Sequence, residues 1–306
     1  MNRREFLGAG LGFLSAAAVG AEASGRKAFA KKPFSQGIHG RLYVPTEGVD
    51  PTLRVAVIGD AHCAFRDARD DRYKENYKRM SSVPDPWKLP NALKAAKRNK
   101  ADLVLLVGDI ISFPSYANVE EVCRMIREAD VDCYYVAGNH DWRFEKLPCE
   151  DPVAYRRQWI NDRLLPFYKG ADPECSSRVV KGMRFVAIDD STISVSEKQL
   201  AFWRQEIAKG DPTVLFMHVP IYVPGWTPSP TACLRWEESP TYRGKIDPVT
   251  RTFCEEVMRA ENLSCVFTGH EHWPMYSSYR GQRLFSVDGN GRTGEYFDVS
   301  FADPVG

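Results

Sequence analysis

Six short apolar runs in this chain each stop at a glycine, an aspartate or a histidine, and that repetition limits the folds open to it. The run 53–58 ends at Gly59-Asp60, 102–107 at Gly108-Asp109, and 132–137 at Gly138-Asn139-His140-Asp141. The run 183–188 reaches Asp189-Asp190, 213–217 reaches His218, and 263–268 reaches Gly269-His270-Glu271-His272. Near-continuous apolar character over so few residues predicts strands buried on both faces. Between them the apolar spacing predicts helices over about 91–99, 118–129, 151–165, 196–208 and 247–261. Strands alternating with helices give an α/β fold. Shorter β-like runs at 274–280, 283–287 and 295–301 suggest a second, antiparallel sheet. The expectation is two stacked sheets with helices outside, in a single domain over 41–306.

In open α/β sheets ligands gather beyond the carboxyl ends of the strands, where these clusters fall. Glycine precedes four of them (Gly59, Gly108, Gly138, Gly269), which suits a backbone that turns sharply close to a ligand. Asp60 and His62 are spaced i, i+2, as are His270 and His272. In extended backbone that spacing points both side chains the same way, so each pair is expected to chelate one centre. Taken singly, Gly-Asp is a common turn and His218 before Pro220 reads as a hydrogen-bonded core histidine. Taken together the clusters are harder to dismiss. A random chain of this composition would contain Gly-His-x-His about once in 100 and Gly-Asn-His-Asp about once in 1,000. Of the six histidines only His39 stands outside these clusters.

The 41 Lys and Arg nearly balance the 40 Asp and Glu, for a net charge of +1. No global field is available to hold nucleic acid or an anionic membrane, so an anionic substrate needs local positive charge, such as a metal. The eight cysteines include no Cys-x-x-Cys pair, which leaves no zinc ribbon or thioredoxin motif. In an oxidising compartment Cys149 and Cys175 are candidates for pairing, whereas Cys123, Cys254 and Cys265 read as buried thiols. Residues 1–23 combine a basic start, a short Gly/Ala/Leu run and a small-residue end, the layout of a cleaved export signal. Arg3-Arg4 followed by Phe6-Leu7 resembles a twin-arginine signal, implying the twin-arginine export machinery as a partner and a periplasmic or cell-envelope location. Residues 24–40 read as a solvated linker. The apolar part of 1–23 falls well below the roughly 20 residues that span a bilayer, and the most apolar later run, 103–111, is interrupted by Asp109. No stable membrane insertion is expected after cleavage.

Gly59-Asp60-x-His62, Gly108-Asp109, Gly138-Asn139-His140-Asp141, His218 and Gly269-His270-x-His272, in this order, resemble the calcineurin-like metallophosphoesterase superfamily. The resemblance implies a four-layer αββα sandwich of two mixed sheets flanked by helices. It places Asp60, His62, Asp109 and His272 on one metal ion and Asp109, Asn139, His218 and His270 on the other, with Asp109 bridging. These donors suit Fe, Mn, Zn or Co. The implied chemistry is in-line attack on a phosphoester by a metal-bridging hydroxide. His140 is implied as the residue that stabilises the transition state or protonates the leaving group, and Asp141 as its orienting partner.

Purple acid phosphatases carry a tyrosine where this chain has Ser112 and lack the histidine found here as His62, which sets that subgroup aside. Exported 5'-nucleotidases need a large C-terminal domain for which the residues after His272 leave little room. The Asp-x-His start, Ile188-Asp-Asp-Ser and Gln199-Leu-x-Phe-Trp203 resemble the branch containing cyclic-nucleotide and glycerophosphodiester phosphodiesterases. A small phosphodiester is therefore the expected substrate, with a monoester of the same fold, or a metal-containing binding protein without catalysis, as alternatives. Residues 220–246, rich in Pro with Trp226, Trp236, Tyr242, Arg235 and Arg243, form a candidate lid or, equally, a surface loop packed by its own tryptophans. In 64–90, Tyr73, Tyr77 and Met80 read as a core-facing stripe, and Arg66, Asp67, Arg69, Asp70 and Asp71 as a solvated face.

Overall fold

A computed structural model describes residues 35–36, 40–76, 85, 87–224, 233–237 and 245–302. The expected export signal, most of the linker, Tyr77, Met80 and residues 225–232 and 238–244 lie outside the described residues.

Strand β3 (Arg54–Ile58) shows how the sequence makes layers. Its side chains alternate across the sheet: Val55 and Val57 enter one apolar cluster, Ala56 and Ile58 another. A strand apolar on both sides must be covered on both sides. The same alternation holds in β4 (Leu103–Val107) and β5 (Cys133–Val136), which extend β3 in parallel. With β1 (Ser35–Gln36), β2 (Arg41–Tyr43) and β12 (Phe297–Ser300) they form a six-stranded sheet in the order β1-β2-β12-β3-β4-β5. The second sheet, β10-β11-β9-β8-β7-β6, is built on parallel β7 (Met183–Ile188), β8 (Thr213–Phe216), β9 (Leu263–Thr268) and β11 (Gln282–Ser286). Antiparallel β6 (Cys175–Val180) and β10 (Met275–Tyr279) close its edges.

Between the sheets, Leu105, Val107 and Val136 meet Phe185, Phe216, Phe267 and Phe285. Outside the first sheet pack α1 (Lys88–Arg98) and α2 (Tyr116–Ala129), together with α3 (Pro152–Trp159), a π turn at Ile160–Leu164, and α4 (Leu165–Tyr168). Outside the second pack α5 (Glu197–Ile207) and α6 (Pro248–Arg259), through Trp203 and Phe253. The four-layer αββα sandwich is thus as expected. The helix starts are written in the sequence. Ser196 accepts from the Gln199 N–H while Gln199 accepts from the Ser196 N–H, and Asp151 and Asp247 cap helices that begin with proline.

Four expectations need correction or refinement. The C-terminal strands do not make a sheet of their own. β10 and β11 join the second sheet, and β12 crosses to the first, where it lies between β2 and β3. Phe297 and Val299 belong to the core between the sheets, which β12 reaches only by inserting there. Asp70, placed on a solvated face, is fully buried and accepts from the Tyr116 N–H at 2.8 Å and Arg163 Nη1 at 3.2 Å. Cys149 and Cys175 are both free thiols, and Cys123 is only half-buried, unlike Cys254 and Cys265. In 220–246 the described parts are packed: Trp236 is buried, its Nε1 donating to the Tyr222 carbonyl at 2.7 Å, and Arg235 lies over the Tyr222 ring.

Short helix α7 (Asn290–Thr293) completes the chain between β11 and β12. No helix among the described residues is long and apolar enough to cross a membrane.

Candidate metal centre

Parallel pairing brings the strand ends level. Ile58 is opposite Leu106 and Val107 opposite Val136, so Asp60 and Asp109 leave the first sheet side by side; Phe216 opposite Phe267 does the same for His218 and His270. The backbone beyond the strands is not extended. Asp60, His62, Asp109, His270 and His272 all have positive φ, between 48° and 74°. Each such residue costs roughly 1–2 kcal/mol, so the surroundings must hold it.

Hydrogen bonds do so. The Asp60 N–H donates to the Gly108 carbonyl and the His62 N–H to the Asp109 carbonyl, while Ser112 Oγ pins the His62 carbonyl at 2.9 Å. Buried Asp141 accepts from the N–H groups of Asp109, Ile111 and Gly138 at 2.7–2.9 Å. Both its oxygens are thereby engaged with backbone. Asp190 plays the same part across the site, accepting from the His218 and Val219 N–H groups. Gly108 has φ of 83° and stands so close that a Cβ there would lie 2.5 Å from His218 Nδ1.

The donor atoms converge in two groups. Single ligand atoms of Asp60, His62, Asp109 and His272 lie within 4.8 Å of one another, as do those of Asp109, His218 and His270. Asn139 Oδ1 is 3.2 Å from His218 Nε2 and joins the second group. Asp109 belongs to both, with Oδ2 3.7 Å from His62 Nε2 and 3.3 Å from His218 Nε2. The Asp60–His62 pair does share one group. His270 and His272 part company, one to each, as the family resemblance implies and not as their i, i+2 spacing suggests.

The site is built almost wholly of acceptors. His218 Nδ1 lies 2.9 Å from the Val107 carbonyl, which can only accept, so this nitrogen carries the hydrogen and Nε2 is left to the site. That nitrogen faces His270 Nδ1 at 3.1 Å, and His62 Nε2 faces His272 Nε2 at 3.1 Å. Nitrogen lone pairs crowded against carboxylates in buried surroundings repel unless a cation sits among them. Carboxylate, imidazole and amide donors without thiolate fit borderline-to-hard metal ions.

The protonation states agree. Burial pushes His62 and His270 down to about 4, as neutral bases. For His218 burial acts in the same sense, but the Asp109 carboxylate outweighs it and raises the group to about 10. A proton and a metal ion answer the same demand there. Asp109 is held well below the usual carboxylate range, burial being overcome by His218 and His140. Burial raises Asp141 and Asp190 to about 7. His140 is half-buried; its N–H donates to Asp109 Oδ1 at 2.8 Å and its ring stands edge-on to His62 at 5.0 Å.

One element at the site escaped the sequence reading. The turn 288–294 wraps the first group: the Gly291 N–H donates to the Asp60 carbonyl, and the Asn290 N–H to that of Gly59. A Cβ at Gly289 would lie 3.1 Å from the His272 Cβ, and Arg292 Nη2 donates to the His272 carbonyl. Its signal was Gly289-Asn-Gly-Arg-Thr-Gly294 directly after an apolar run.

The family model for calcineurin-like phosphoesterases matches residues 53–274, the whole span from β3 to the last candidate ligand. The chain belongs to that family, and it is a metal-dependent hydrolase of phosphoester bonds. A dimetal phosphatase from Danio rerio has a similar structure, at 14% identity and a TM-score of 0.54, over 80% of this chain and 90% of that one. Purple acid phosphatase PPD1 from yellow lupin is similar at 14% identity and a TM-score of 0.50, over 88% of this chain but 48% of that larger one. At these identities the likeness is one of fold. No curated protein sequence matches the chain.

Proposed function

We propose that the protein is an exported dinuclear phosphodiesterase acting on small-molecule phosphoesters. Asp60, His62, Asp109 and His272 would hold one metal ion, and Asp109, Asn139, His218 and His270 the other. The observation that carries this reading is Asp109, a fully buried carboxylate whose Oδ2 faces imidazoles of both groups. Two cations held there would supply Lewis acidity toward the phosphoryl oxygens and lower the pKa of a bound water.

The remaining work falls to the chain. His140, fixed to Asp109 through its backbone N–H, holds a proton for the departing alcohol oxygen. Asp141 and Asp190 keep the ligand loops in place by binding peptide N–H groups, so Asp141 acts on the Asp109 and Gly138 backbone rather than on the His140 ring. The choice of diesters rests on the Asp-x-His start and on Ser112, which is spent on the His62 carbonyl where another subgroup has a ligand tyrosine. Export by the twin-arginine route rests on residues 1–23, and sequencing of the secreted chain should find it starting at Ser24.

Turnover of bis(p-nitrophenyl) phosphate should require added Mn, Fe, Zn or Co and exceed that of p-nitrophenyl phosphate. It should fall by roughly 10³-fold or more in His270→Ala, as expected when several kcal/mol of Lewis-acid stabilisation is lost. His140→Ala should retain its metals and lose kcat, least for the good p-nitrophenolate leaving group. Undiminished turnover in His270→Ala would refute the metal assignment, and faster monoester hydrolysis would refute the diester preference.

A further inference from the structure

Trp273 follows His272 directly, yet 57% of it is exposed, while the His272 side chain is 39% exposed and marks the open side of the first group. Exposing an indole forgoes the burial that usually accounts for a tryptophan. The ring is nevertheless held. The Arg292 guanidinium lies 5.2 Å from its centroid, donates to the His272 carbonyl and is 3.4 Å from Asp288 Oδ1. Lys88 Nζ in turn donates to the Arg292 and Gly291 carbonyls, which fixes the turn that carries Arg292.

We propose that Trp273, backed by Arg292, is a stacking platform at the rim of the metal centre that selects phosphoesters whose alcohol portion is an aromatic or heteroaromatic ring. The inference rests on the phosphoesterase reading of the site. Trp273 adjoins His272 in the chain, and Arg292 touches both the indole and the His272 carbonyl, so the ring sits beside the residue that would meet the phosphoryl group. The Arg292 guanidinium lies against that indole, more than half of which faces water. A planar ring displaces that water at little cost in conformational entropy, whereas a flexible alkyl alcohol gains much less. Arg292 serves as a positioning residue: it orients the indole and ties it to the backbone of a proposed metal ligand.

The test uses the metal-loaded protein and two phosphonates that cannot be hydrolysed, phenylphosphonate and methylphosphonate, with binding measured by calorimetry. Phenylphosphonate should bind about tenfold more tightly, within the range that stacking on an aromatic side chain supplies. Trp273→Ala should bring the ratio close to one and Trp273→Phe should keep most of it; the exposure of the ring makes both substitutions compatible with folding. A preference for phenylphosphonate that survives Trp273→Ala overturns the platform alone. Failure of the metal-loaded protein to bind either phosphonate overturns the phosphoesterase reading and the platform with it.

Discussion

Two kinds of buried carboxylate coexist in this molecule. Asp189 and Asp70 lie under the helices, and the chain supplies each with a cation: Arg156 Nε donates to Asp189 Oδ2 at 2.8 Å, and Arg163 Nη1 to Asp70 at 3.2 Å. Asp60 and Asp109 are as deeply buried, but among the described residues no lysine or arginine pairs with them. They face imidazoles, two of which are pushed down to about 4 and remain neutral. Where Asp189 and Asp70 are met by guanidinium groups, Asp60 and Asp109 are met by imidazole nitrogens, an arrangement that a metal ion would complete. Near-zero net charge is therefore no obstacle to an anionic substrate, because the attraction is local and borrowed.

The contrast can be broken by removing charge on either side. Arg156→Met should cost about 3–5 kcal/mol of unfolding free energy in urea, since it strands the Asp189 carboxylate in the core. Asp109→Asn should cost the metal-free protein less than that, because it strands no charge: His218, no longer held protonated by the carboxylate, can give up its proton. Equal losses in the two variants would mean that Asp109 is as well compensated by the chain as Asp189.

A smaller effect is expected at the far edge of the second sheet. There Glu206 takes Arg184 at 2.9 Å, Lys209 at 2.6 Å and Ser177 Oγ at 2.6 Å. Burial works against its ionisation, but these partners prevail and its pKa is lowered. A lowered carboxylate stabilises the fold above its unfolded value and loses that contribution as pH falls through the folded one. Glu206→Gln should thus cost about 1.5 kcal/mol at neutral pH, and the difference should shrink as pH falls below the ordinary glutamate range and through the lowered folded-state value. A difference that persisted there would show that Glu206 acts by packing alone.

The comparison also explains what the sequence could and could not say. Central strands β3, β4, β8 and β9 are legible because both faces are buried and most of their residues are apolar. Edge strand β6, Cys-Ser-Ser-Arg-Val-Val, is half-exposed and carries no such signature. β12 matches an ordinary strand, but its partners are distant in sequence, so its sheet could not be read from it. At the site the ligand residues showed in Gly-Asp-x-His and Gly-His-x-His. The division of His270 from His272 does not follow from their i, i+2 spacing, which suggests a shared centre; it is carried by the family resemblance alone. Asp70 and Asp141 look like surface or catalytic acids in sequence and are structural in space, since their role is set by donors from remote segments.

The central claim is that the cluster of acceptors at the strand ends is completed by two cations from solution. Chelator-stripped protein titrated calorimetrically with Mn²⁺, with elemental analysis of the product, tests it most directly. The account predicts two ions per chain and a rise in Tm, worth about 2.7 kcal/mol when free metal reaches a hundred times Kd, with both diminished in Asp109→Asn. Absence of binding, or two ions bound as tightly after Asp109→Asn, would contradict it.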